Sequence, residues 1–156
     1  MKRIIGIIFL VAYFLSSCTP ARTQSSSLPR VLAVESFLAD IAQNVSGDRL
    51  KVESLIPVDS DPHAYQPSPR DAVKITEVEV FIINGANLES FLSPLFQNSG
   101  GGQRVISASV GLTPRPDPSG LNPGVDPHFW LDPMNVIKYV ENIRDGLSQA
   151  DPGGAS

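Results

Sequence analysis

Up to residue 107 the apolar residues fall into short dense runs that alternate with segments in which they recur three or four positions apart. The runs 30–35 (RVLAVE), 50–57, 78–84 (VEVFIIN) and 104–107 are rich in Val, Ile and Leu and predict buried strands. Between the first two, Phe37, Leu38, Ile41 and Val45 share one helical face over 37–45, with Ser36 as the expected cap and Gly47 as the stop. Ser68-Pro69 predicts the start of a short helix to about Thr76, with proline in its first turn. Residues 88–97 set Leu88, Phe91, Leu92, Leu95 and Phe96 at helical spacing around an interrupting Pro94. The most regular stripe comes last, with Asp132-Pro133 opening a helix over 134–149 that carries Val136, Val140, Ile143 and Leu147. Strands alternating with helices predict an α/β fold, a doubly wound and mostly parallel four-stranded sheet over 30–133. A long helix then starts within 134–156. Asp151-Pro152 repeats the cap-plus-proline signal and the sequence stops four residues later, so a truncated chain is expected.

The first 17 residues stand apart from this pattern. Lys2 and Arg3 precede an apolar stretch of about a dozen residues, 4–15, and Leu15-Ser16-Ser17-Cys18 follows. That is the layout of an export signal, and the apolar run falls short of the ~20 residues of a spanning helix. Leu-Ser-Ser-Cys resembles a bacterial lipobox, which implies cleavage before Cys18 and attachment of membrane lipid there. Cys18 is the only cysteine, so the chain has no intramolecular disulfide and no thiolate zinc site. Residues 18–29 are dominated by Ser, Thr, Pro, Gln and Ala, the composition of a flexible tether. Signal removal takes two of the 12 basic residues and leaves 10 against 16 acidic ones, a formal charge of −6. Such a chain has no basic stripe for nucleic acid and does not repel a cation.

Candidate chemistry lies in a repeat. Asp61-Pro62-His63 and Asp126-Pro127-His128 contain the only two histidines, and each is followed two residues later by an aromatic, Tyr65 and Trp130. Imidazole is the commonest ligand for zinc and its neighbours, and the proline before it stiffens the loop. Sixty-five positions separate the pair, far more than in a local zinc loop, so the fold itself would have to assemble the site. Both histidines follow predicted strands, His63 the second and His128 the fourth. They therefore fall on the carboxyl edge of the sheet, where ligands of such folds bind. Glu35, Asp59, Asp61 and Asp126 lie near the same edge, with capping or loop solvation as their ordinary roles. No nucleophile motif, phosphate loop or His-Glu-x-x-His helix is present, which argues against an enzyme.

Asp61-Pro-His-Ala-Tyr-Gln-Pro-Ser-Pro-Arg-Asp71, Phe81-Ile-Ile-Asn-Gly-Ala-Asn-Leu-Glu89 and Asp126-Pro-His-Phe-Trp-Leu-Asp-Pro133 together closely resemble the solute-binding lipoproteins of bacterial zinc and manganese ABC transporters. The resemblance runs from about Val31 to Ala150. It implies two α/β lobes joined by a long helix, of which this chain carries the first lobe and the start of the helix. It also implies that His63 and His128 are metal ligands and that a divalent ion, Zn²⁺ or Mn²⁺, is the transported ligand. The expected partners are a membrane permease and, through Cys18, the membrane lipid. The protein would be an exported monomer, anchored to the bacterial membrane and facing the periplasm or cell exterior. A surface adhesin or interaction lipoprotein of the same fold, and a non-functional fragment, are the alternative readings.

Overall fold

The computed structural model describes residues 27–98, 101–116 and 125–155. Residues 1–26, on which the expected signal segment, Cys18 and most of the expected tether fall, lie outside the described residues, as does 117–124 before His128. Four strands, β1 (Val31–Ala33), β2 (Val52–Ser54), β3 (Val80–Ile83) and β4 (Arg104–Ser107), form one sheet in the order β2-β1-β3-β4. All three pairings are parallel, with Val31 opposite Val52 on one side and Val80 on the other. Helices α1 (Ser36–Ser46), α2 (Pro69–Thr76), α3 (Ser93–Asn98) and α4 (Pro133–Ala150) complete the doubly wound α/β lobe that the periodicity predicts.

Alternation along the inner strands builds two cores. Val31, Ala33, Val80 and Ile82 face one way, against Leu38 and Ala42 of α1 and Tyr139, Ile143 and Leu147 of α4. Leu32, Val34 and Phe81 face the other way, against Ile75 of α2 and Leu92. Both faces of β1 and β3 are covered, which is why their sequences read as continuous apolar runs rather than as alternation. β2 lies at the sheet margin and is only partly buried, so the run 50–57 supplies just three strand residues before Leu55 and Ile56 turn into the second core.

Several local expectations are corrected. Glu35, not Ser36, occupies the cap position of α1 and caps without a side-chain bond. The predicted 88–97 helix divides into a 3₁₀ turn, Ser90–Leu92, and α3, so that Pro94 falls in the first turn of α3, where a missing N–H costs nothing. In α4 the buried face is Tyr139, Ile143 and Leu147, while Val140 is exposed. Asp132 does cap α4, its carboxylate accepting the Met134 N–H at 2.9 Å. Asp151 ends α4 and at the same time stands at the cap position of a short 3₁₀ turn, Pro152–Gly154, and it pairs with Arg49 at 2.9 Å from Nη2. Among the described residues no helix is long and apolar enough to cross a membrane.

Candidate metal centre

The loops that follow the two outer strands, β2 and β4, converge over the carboxyl edge of the inner pair. The first is built from tight turns, with Ser60 N–H donating to the Pro57 carbonyl and Ala64 N–H to the Asp61 carbonyl, both at 3.2 Å. Asp59 takes a positive φ of 67° within it. Asp61 Oδ1 accepts the backbone N–H of His63 at 2.9 Å. Farther along, Asp71 Oδ2 collects the Tyr65 hydroxyl at 2.9 Å, the Ser68 N–H at 2.8 Å and the Ser68 hydroxyl at 2.7 Å. Burial works against that carboxylate, but the bonds from Ser68 and Tyr65 prevail and hold Asp71 below its usual range. The His63 loop is thereby fastened to α2.

The second loop repeats the device. Asp126 Oδ1 accepts the His128 backbone N–H at 3.0 Å and lies 2.7 Å from His128 Nδ1. The bonds from the His128 backbone and then from its ring hold Asp126 below the usual carboxylate range. A neutral imidazole whose Nδ1–H donates a hydrogen bond to Asp126 has its lone pair on Nε2, the arrangement in which carboxylates orient metal-binding histidines. Trp130 stacks on Phe37 of α1 with ring centroids 4.4 Å apart, and its ring lies 5.1 Å from that of His128. The aromatic two residues after each histidine thus has a visible purpose, since Tyr65 and Trp130 each moor a histidine loop to a neighbouring helix.

These restraints bring the two predicted residues together, with His63 Nε2 3.2 Å from His128 Nε2 and the ring planes inclined at 46°. An ion ~2.05 Å from each of two nitrogens spaces them roughly 2.9 Å apart at a right angle and roughly 3.3 Å apart at a tetrahedral angle. The observed spacing lies within that span. His63 is exposed and His128 about one-third exposed, on open surface. A cleft of about 540 Å³, lined in part by Arg30, Leu50, Lys74 and Val78, sits instead at the opposite edge of the sheet.

Among the described residues no group of three or more His, Cys, Asp or Glu is placed to hold a metal. Of the nearby acids, Asp61 and Asp126 are spent on orienting the histidine turns, Asp59 is exposed in its turn, and Glu35 is buried. Sequence reasoning missed Asn84 and Tyr139, two buried polar residues beside the His128 loop, which hydrogen-bond to each other. Asn84 read as the last residue of the strand 78–84, and a tyrosine inside an apolar stripe gives no periodic signal of its partner. Cys18 lies outside the described residues.

Comparison with known proteins gives a consistent picture. The family profile described as "Zinc-uptake complex component A periplasmic" matches residues 31–156. The chain is 35% identical over 153 residues to the manganese-binding lipoprotein MntA of Halalkalibacterium halodurans, covering 96% of this chain and 50% of that one. It is 39% identical over 129 residues to the iron-binding protein YfeA of Yersinia pestis, covering 81% of this chain and 40% of that one. Among solved structures, the Mn-bound periplasmic metal-binding protein of Candidatus Liberibacter asiaticus aligns with a TM-score of 0.73 at 32% identity, covering 81% of this chain and 47% of that one. The chain spans about half the length of the curated relatives it matches.

Proposed function

Because the chain belongs to the family of periplasmic zinc-uptake components, we propose that it is the metal-capturing part of a divalent-cation ABC import system, with His63 and His128 as ligands and a membrane permease as the receiver. The observation that carries this reading is the meeting of two Nε2 atoms at 3.2 Å from loops sixty-five positions apart, each histidine held by an aspartate two residues before it. Two imidazoles leave further positions on the ion for other donors. Imidazole suits zinc and iron, whereas manganese favours oxygen donors, so the choice among these ions falls to the remaining ligands. Names of relatives include manganese- and iron-binding proteins and not enzymes, in keeping with a carrier. In this reading residues 1–17 direct export, Cys18 carries the lipid anchor, 18–29 form the tether, 30–133 the metal-binding lobe, and α4 begins the connecting helix.

Calorimetric titration of Zn²⁺ and of Mn²⁺ into the protein and into its His63→Ala and His128→Ala variants tests the assignment. The expected result is saturable binding by the parent and a fall in affinity of about 100-fold or more in each variant, larger than the 10–100-fold typical of losing an outer partner of a ligand. Both histidines lie on loops outside the two cores, so thermal melts should change little. Equal affinity in parent and both variants would falsify the assignment.

A further inference from the structure

Asn84 lies one residue beyond β3, is wholly buried, and has all its polar atoms engaged. Its backbone N–H donates to Glu89 Oε1, and its carbonyl accepts the Ser109 N–H at 3.1 Å. The side chain joins three separate parts of the fold. Nδ2 donates to the Gly85 carbonyl and to the Pro127 carbonyl, both at 3.0 Å, and Oδ1 accepts the Tyr139 hydroxyl from α4. Both N–H donors of the amide are therefore in use. Pro127 immediately precedes His128, and its carbonyl also receives the Phe129 N–H at 2.9 Å. The turn carrying His128 is closed on itself, and this one side chain fastens it to the end of β3.

We propose that Asn84 is a positioning residue of the metal centre, fixing the place of the His128 loop and, through Tyr139, tying that place to α4. The proposal rests on the reading of His128 as a ligand, but the geometry it describes exists without metal. Only an amide meets the demand, two donors for two carbonyls and one acceptor for a phenol. Aspartate has the same shape with no donor, and would set a carboxylate against the Gly85 and Pro127 carbonyls. Leucine would leave the Tyr139 hydroxyl buried without its acceptor.

Asn84→Asp and Tyr139→Phe test this, with Ile143→Val as a variant that loosens the same core without touching the network. Two readouts are followed, backbone amide spectra of the metal-free protein and calorimetric titration with Zn²⁺. Asn84→Asp should move the amide signals of His128 and Phe129 while leaving those of Ala64 and Tyr65, on the loop Asn84 does not touch, in place. Zn²⁺ affinity should fall about 10–100-fold. Tyr139→Phe keeps the bond to Pro127 and should move the same signals less, with a severalfold loss of affinity, whereas Ile143→Val should lower stability and change neither readout. A folded Asn84→Asp protein with parental amide signals and affinity overturns the proposal. Should that variant not fold, parental behaviour of Tyr139→Phe overturns it instead. If the parent itself takes up no Zn²⁺, the metal assignment fails, and the amide shifts alone still decide whether Asn84 positions the loop.

Discussion

Glu35 closes β1 with a carboxyl group that is almost wholly buried, and neither of its oxygens receives a hydrogen bond in the ionised form. Burial first, and then the charge of Glu89, push its pKa up to about 9. Burial also raises Glu89, to about 7, although the Asn84 and Gly85 N–H groups partly offset the effect. Both shifts favour keeping a proton on this buried pair of acids. A group whose pKa is raised by folding binds its proton more tightly in the native state, so its stabilisation is complete below the ordinary value of 4.5 and is lost as pH climbs toward the folded value. Urea melts should therefore show stability falling as pH rises above the ordinary carboxyl range toward about 9. Asp71, Asp126 and Asp151 are shifted the other way, so their loss of stabilisation is confined to the acid side of this window. Glu35→Gln keeps a neutral donor in place and should flatten the decline. The same slope in parent and variant would remove Glu35 as its source. From sequence, Glu35 was legible only as an acid at a strand end, because its burial depends on Glu89 and β3, more than forty residues away.

At the scale of elements, the sheet was legible because both inner strands are covered on two faces and no other local pattern competes with such short apolar runs. The last helix was found by its stripe, yet the stripe was misjudged. Counting Val136, Val140, Ile143 and Leu147 ignores two residues that turn the helix on its axis. Tyr139 is buried because its hydroxyl has Asn84 as a partner, and Gly146 faces β4. A Cβ at Gly146 would stand 2.4 Å from Ile106 Cδ1 and 2.6 Å from Ile106 Cγ1, so the missing side chain is what lets α4 settle on the strand. Glycine inside a helix costs about 1 kcal/mol relative to alanine, and overpacking a core costs about 1–3 kcal/mol. The second effect wins here, because Ile106 is buried and its Cγ1 cannot swing away as a free chain end could. Gly146→Ala should therefore lower stability by about 1–2 kcal/mol in a denaturant melt, despite its better helix propensity. A more stable variant would mean that α4 does not pack this closely.

For the molecule as a whole, topology accounts for what separation in sequence could not. In the order β2-β1-β3-β4, the chain turns one way from β1 to reach β2 and the other way to reach β3 and β4, so the loops after β2 and β4 lean toward each other above the β1–β3 boundary. Such switch points are where doubly wound folds hold ligands. The repeated Asp-Pro-His made the pair legible, and the strand count put both on one edge, but the strand order that closes the gap to 3.2 Å depends on pairings the sequence does not display. The same parallel arrangement separates the entry of the described chain from the two histidines. The described chain enters β1 at the amino edge, where Arg30 is held by Glu79 at 3.0 Å, and both histidines lie past the carboxyl edge. An anchor attached ahead of β1 would therefore pull on the end of the lobe remote from His63 and His128. Cys18→Ser should shift the protein from the membrane fraction to the soluble fraction while leaving its Zn²⁺ titration unchanged. Retention at the membrane after residues 1–17 have been removed, verified by mass, would refute the lipid anchor. A loss of Zn²⁺ binding in the released protein would show instead that the two edges of the sheet are coupled.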